Sequence, residues 1–254
     1  MAARLERADA DQRQFLADVA HEIVTPVNTI SGFGLALADG AAEGREQRAE
    51  AKALIEAETE RLRGLLTDRR ELTRLDLTEG VRLAPVALAP FAHELVARFR
   101  PAATAATLTL SVTVHAHELR TDARLLETVA SNLLSNAIRY TPEGGHVEVR
   151  LRQHRDKLVL AVRDSGVGIA PEHQQRIFER LYRVDDTRDR ATGGSGLGLA
   201  IAYRAAQSLG GHLELESTLG QGSEFRLILP LPVRPGATQD AGVRSPSHET
   251  PDGL

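Results

Sequence analysis

The sequence contains no cysteine, which removes disulfide bridges, thiolate metal sites and thiol nucleophiles together. Nor does any apolar run approach the roughly 18 residues that a membrane-spanning helix needs. The opening MAARLERADADQRQ is too charged for a secretory signal. A cytoplasmic chain is therefore expected, tied to a membrane only if an anchor lies upstream. Aromatic residues make up 4% of the chain, no basic stripe interleaves with them, and the net charge is −4. Nucleic acid is accordingly not an expected partner. What is present is ordinary globular material: 254 residues, 42% hydrophobic and 26% charged, enough to build one or two cored domains.

The chain begins with a helical pattern from about Leu5 to Asp39. Leu16, Val19, Ile23, Val27, Ile30, Gly34 and Leu37 fall in one stripe roughly 80° wide. His21 and Thr25 project from nearly the opposite side, one turn apart, with Glu22 between them and the apolar edge. Pro26 interrupts the pattern, displaces the carbonyl of Glu22 and bends the helix beside His21. Glu22 is placed to take a proton from one imidazole nitrogen and leave the other as a nucleophile. A lone exposed histidine reads equally well as a solvated surface residue until a second site supplies an electrophile.

After the turn Gly40 to Gly44, a second helical run covers about Glu46 to Leu75. Two helices with wide apolar stripes satisfy only part of those stripes in one hairpin. Two copies are thus expected to pair as a four-helix bundle. Thr78 to Pro90, with Pro85 and Pro90, reads as a boundary. Beyond it, helical patterns (Phe91 to Phe99, Asp122 to Arg139 after a Thr121 cap, Pro171 to Tyr182, Leu197 to Leu209) alternate with strands. The strands fall at Thr107 to Val114, His146 to Arg152, Lys157 to Arg163, His212 to Glu216 and Glu224 to Pro230. An α/β sandwich with helices on one face of a mixed sheet follows. The assigned segments are 1–12, an incoming signalling helix; 13–78, the hairpin; 79–90, a linker; 91–232, the sandwich domain; and 233–254, a Pro-, Gly- and Ser-rich tail expected to be disordered.

Three pieces of the second domain suit a nucleotide. Asn132 and Asn136 lie a helical turn apart, and amide oxygens suit Mg²⁺, although two incidental surface amides would look the same. Arg139, one turn on, can meet a phosphate. Asp164 opens DSGVGI directly after a strand, an acceptor for an exocyclic amine beside backbone that permits close approach, or simply a capped glycine turn. GGSGLGL (Gly193 to Leu199) leads into a helix whose N-terminus favours phosphate. It lacks the lysine of a Walker loop and the βαβ setting of a Rossmann fingerprint. Arg183 to Thr192 is highly charged and reads as a mobile loop or a lid.

From Gln14 to Pro230 these segments together resemble the core of a bacterial sensor histidine kinase of two-component signalling. FLADVAHEIVTP resembles the phosphoacceptor box, NLLSNAIRYTP the asparagine box and DSGVGI the first glycine box. IFERLYR resembles the phenylalanine box, GGSGLGL the second glycine box, and STLGQGSEFRLILP the closing strand-turn-strand. The resemblance implies a dimerisation and phosphotransfer hairpin followed by an ATP-binding domain of the GHKL (Bergerat) type. It makes His21 the phosphorylated residue, Glu22 its base, and Thr25 the residue that orients water during dephosphorylation of a partner. Asn136 with Asn132 would hold Mg²⁺; Asp164 would read adenine, with Gly166 and Gly168 lining the base pocket. Arg139, Tyr140, Gly194, Ser195, Gly196, Leu197 and Gly198 complete the ATP site. The implied partners are a second copy of the chain and a response-regulator receiver domain. One position departs: the family usually carries arginine before the threonine of the phosphoacceptor box, and here it is Val24. The competing readings are a phosphatase-only or scaffold pseudokinase and a GHKL-type ATPase without phosphohistidine.

Overall fold

The computed structural model describes residues 23–39, 44–77, 80–154, 156–184 and 195–231. His21, Glu22, Gly194, the segments expected at 1–12 and 233–254, and most of the charged 183–192 stretch lie outside the described residues. Helix α1 occupies 23–38, with Pro26 buried near its start, and α2 runs Arg45–Leu77. The remainder runs β1 (Ala84–Ala87), α3 (Leu88–Ala105), β2 (Thr109–His115), β3 (Glu118–Thr121), α4 (Ala123–Tyr140), β4 (His146–Gln153) and β5 (Lys157–Asp164). A 3₁₀ turn (Arg176–Phe178), α5 (Gly198–Ser208), β6 (His212–Thr218) and β7 (Gly222–Pro230) close it.

The main sheet is ordered β2-β4-β5-β7-β6, with β2 parallel to β4 and every other pairing antiparallel. Period-two alternation turns Val147, Val149 and Leu151 inward from β4, and Phe225, Leu227 and Leu229 from β7. Leu125, Leu126, Val129, Leu133 and Leu134 cover that face from α4, all essentially inaccessible. Ala202, Ala205 and Ala206 on α5 are small enough to let the two helices approach closely. One continuous core results, and it includes Leu72 and Leu75 of α2.

Three expectations need correction. Pro171 to Tyr182 is not an α-helix: residues 171–175 form turns ahead of the 3₁₀ segment, after which Glu179 is extended and Leu181 takes φ 61°. Tertiary ties outweigh the local helical pattern here. The Gln174 amide donates to the carbonyls of Ile169 and Ser217, His173 hydrogen-bonds the Tyr182 hydroxyl, and Phe178 packs on Tyr203 and Phe225. Helix α3 begins at Leu88 and continues through Pro101 to Ala105. Pro90 is tolerated because it falls in the first turn, where its missing N–H has no partner to lose. Finally, Thr121 belongs to β3, and the cap of α4 is Asp122.

Asp122 joins two parts of the chain. Its Oδ1 accepts the N–H groups of Arg124 and Leu125, and its Oδ2 accepts that of Arg82 at 3.0 Å. Burial works against the carboxylate, but these N–H donors and the Arg124 charge outweigh it, so its pKa lies below the usual value. Asp122→Ala is expected to cost about 2 kcal/mol at neutral pH, a cap plus a tether. Because the folded-state pKa is depressed, that stabilisation is full above the unfolded value near 3.9 and fades as pH falls through the folded one. Urea melts of parent and variant should differ at pH 7, and the gap should narrow only as pH falls below about 3.9.

Candidate functional site

Helix α4 is the spine of the site. Asn132, Asn136 and Arg139 recur at spacings that share one helical face, and all three are half-buried. Asn132 donates its side-chain amide to the Thr128 carbonyl at 2.8 Å. Its oxygen is thereby turned toward the start of α5, so closely that a Cβ at Gly198 would stand 2.8 Å from Oδ1. A side chain at Gly198 would push the Asn132 amide out of this position.

Eight residues along α4, about 12 Å of helix, the Tyr140 carbonyl accepts the N–H of Val167. The same helix thus touches both glycine-rich loops. Asp164 ends β5, 7% exposed, with Oδ1 accepting the N–H groups of Gly166 at 2.8 Å and Ser223 at 3.1 Å. Burial raises its carboxyl above the ordinary aspartate value, and the two N–H donors with His146 offset only part of that rise. The other carboxylate oxygen, Oδ2, accepts neither bond. The loop is closed by Ile169 donating to the Ser217 hydroxyl and Gly220 donating to the Val167 carbonyl. Gly168 has φ 66°, and a Cβ there would lie 2.0 Å from the Thr218 carbonyl oxygen. Gly168→Ala is expected to cost about 2–4 kcal/mol, read as a lowered thermal midpoint, with nucleotide affinity falling alongside.

Ser195, Gly196, Leu197 and Gly198 lead into α5. The Ser195 hydroxyl accepts the N–H of Leu197 at 3.1 Å, and the Gly196 carbonyl accepts that of Leu181 at 3.0 Å. The Leu197 side chain is in the core. Tyr140 likewise meets the first glycine loop through its carbonyl. Thr25 sits half-buried on α1, its carbonyl accepting the Thr29 hydroxyl, while Val24 beside it is 52% exposed. Sequence reasoning missed two contributors from α2: Asp68, which accepts the Ser195 hydroxyl, and Glu71, which meets Arg124 and Thr128. A depression of about 570 Å³, lined by Arg150, Arg152, Lys157, Glu224 and Arg226 among others, opens on the sheet's helix-free face. It contains none of these residues.

Two family models match this chain. The His Kinase A (phospho-acceptor) domain covers residues 11–78, and the histidine kinase-, DNA gyrase B- and HSP90-like ATPase covers residues 121–233. The chain carries a two-component sensor histidine kinase core. This kinase core is 38% identical over 226 residues to the sensor-like histidine kinase SenX3 of Mycolicibacterium smegmatis, covering 88% of this chain and 59% of that protein. It is 31% identical over 238 residues to the sensor histidine kinase WalK of Bacillus subtilis, covering 89% and 38%. The kinase core therefore spans little more than half the length, or less, of these curated relatives. Among solved structures, full-length ShkA in complex with AMPPNP matches with a TM-score of 0.62 at 29% identity, over 86% of this chain and 45% of that one. ThkA in complex with the response regulator protein TrrA shares the fold, with a TM-score of 0.72 at 23% identity over 89% and 64%. Among the described residues of the kinase core, no helix is long and apolar enough to cross a membrane.

Proposed function

We propose that this chain is a protein-histidine kinase: it binds ATP in the second domain, phosphorylates His21, and passes the phosphoryl group to an aspartate of a response-regulator receiver domain. The observation that carries the reading is α4 bridging the two loops, Asn132 against Gly198 at one end and Tyr140 against Val167 at the other, with Asp164 beside the second. A phosphoacceptor family match over residues 11–78 supports a histidine nucleophile in the same chain, and ShkA, 29% identical, is described with the ATP analogue AMPPNP.

In this reading Asp164 accepts the adenine amine, Gly166 and Gly168 border the base, and Arg139 with the 194–198 segment receives the phosphates. A nitrogen of His21 forms a bond to the γ-phosphorus, the bond to ADP breaks, and Glu22 takes the imidazole proton; positioning supplies most of the rate. Magnesium suits the donor set, because Asn132 uses its NH₂ on its own helix and turns a hard amide oxygen toward the start of α5. Asn132 and Asn136 would hold the ion, which neutralises phosphate charge when bound. Val24, Val27 and Leu35 on α1 and Leu54 and Leu66 on α2 stand exposed, apolar surface suited to a second copy in a homodimeric bundle.

The test is incubation of the purified chain with γ-labelled ATP and Mg²⁺, followed by acid or alkali. Label lost in acid and kept in alkali is the expected result. Bound ATP without any label would move the assignment to a phosphatase or scaffold; released phosphate without label would move it to an ATPase.

A further inference from the structure

Helix α2 lays one face on the nucleotide domain. Leu72 and Leu75, 2% and 9% exposed, enter the domain core. One turn away, Glu71 meets the Arg124 guanidinium and the Thr128 hydroxyl, both at 3.4 Å. One turn earlier, Asp68 Oδ2 accepts the Ser195 hydroxyl at 2.5 Å, and Asp68 also lies in the field of Arg139. Ser195 and Arg139 are two of the groups assigned above to the phosphates. A carboxylate carried by the hairpin therefore holds one group that a phosphate would need and stands in the field of a second.

We infer that Asp68 is a resident anion on the phosphate side of the nucleotide site, so that docking of α2 and binding of nucleotide phosphates oppose one another. The inference rests on the assignment of the 194–198 segment and Arg139 to ATP. The Ser195 hydroxyl has one proton to donate, and it cannot serve Asp68 and a phosphate oxygen at once. The enclosed setting adds to the conflict: burial pushes the Asp68 carboxyl above its usual value, with Ser195 and Arg139 pulling it partly back. A second anion brought beside this carboxylate is poorly screened. Coupling of this kind is reciprocal. Phosphates displace Asp68, and any movement of α2 that withdraws Asp68 tightens the nucleotide. The antagonism scales with phosphate charge, strongest for ATP and absent for adenosine.

The experiment titrates the full chain, its Asp68→Asn variant and its Asp68→Ala variant with ATP and with adenosine, following heat of binding. ATP is expected to bind roughly tenfold more tightly to both variants, within the usual range for coupled sites; adenosine affinity should be unchanged. Equal ATP affinity in parent and variants overturns the inference, as does an equal gain for adenosine, which would report general loosening. Hydrogen exchange gives a readout that needs no variant. Amides of residues 65–75 in the parent should exchange faster when ATP is added, and protection that stays unchanged overturns the inference. Asp164→Asn separates the two levels. If it binds ATP as the parent does, the nucleotide site itself is misassigned; if it loses ATP while Asp68→Asn matches the parent, only the Asp68 antagonism fails.

Discussion

A chain carrying His21→Ala is expected to bind ATP with the parent's affinity and to take up no acid-labile phosphoryl group. The separation follows from how the chain is divided. Every residue assigned to the nucleotide falls between Asn132 and Gly198, in or beside α4, the end of β5 and the start of α5, whereas His21 belongs to the phosphoacceptor segment. Removing the imidazole deletes the nucleophile and leaves the pocket whole. Alanine rather than glutamine is the sharper substitution, because it leaves no side-chain group to bind the γ-phosphate in place of the ring. Calorimetry for binding and a filter assay for label check the two halves. Label persisting in the variant would place the acceptor elsewhere in the chain; loss of binding would mean that His21 contributes to the pocket.

Asp164→Asn should weaken ATP binding by roughly ten- to a hundredfold while leaving the fold intact. Asparagine keeps an oxygen at Oδ1, so the N–H donors of Gly166 and Ser223 retain their acceptor. The other oxygen becomes an NH₂, which meets the adenine amine donor to donor. Losing a charged hydrogen bond costs about 1.5–3 kcal/mol, and each 1.4 kcal/mol is a factor of ten. Asp164→Ala adds a structural penalty of about 1–3 kcal/mol by stranding two buried donors. The raised pKa predicts a pH dependence as well. Only the ionised carboxylate accepts on both oxygens, so adenosine affinity should begin to fall at a pH above the ordinary aspartate value near 3.9. The fold itself responds in the opposite sense: the ionised form is disfavoured in the native state, and that penalty is relieved as Asp164 protonates.

The strands of the main sheet, α4 and α5 were legible because their apolar spacing is regular and each side chain's burial is decided by its own element. The loop Asp164 to Ile169 was legible for a different reason: Gly168 occupies a conformation and a space that other residues cannot share. Residues 171–182 were misread because their path is set by partners distant in sequence, Ser217 for Gln174 and Tyr203 with Phe225 for Phe178. Asp68 and Glu71 were not singled out at all. They lie in TDRREL, where charged residues on a long helix look like solvated surface, and nothing local announces that Ser195 and Thr128 are their partners. Strand β1 was hidden among the prolines of the expected linker, since its four residues pair only with the equally short β3.

The bond from Arg82 to Asp122 closes a loop between residues 40 positions apart. In sequence the hairpin is spliced to α3; mechanically it is moored to the first turn of α4. A pull on the connector reaches the helix bearing Asn132 and Asn136 without travelling through α3 or β2. Strand β1, paired with β3 from Ala84 to Ala87, shares that path, so a movement of the hairpin is delivered to the nucleotide domain at the junction of β3 with α4 rather than along the length of α3.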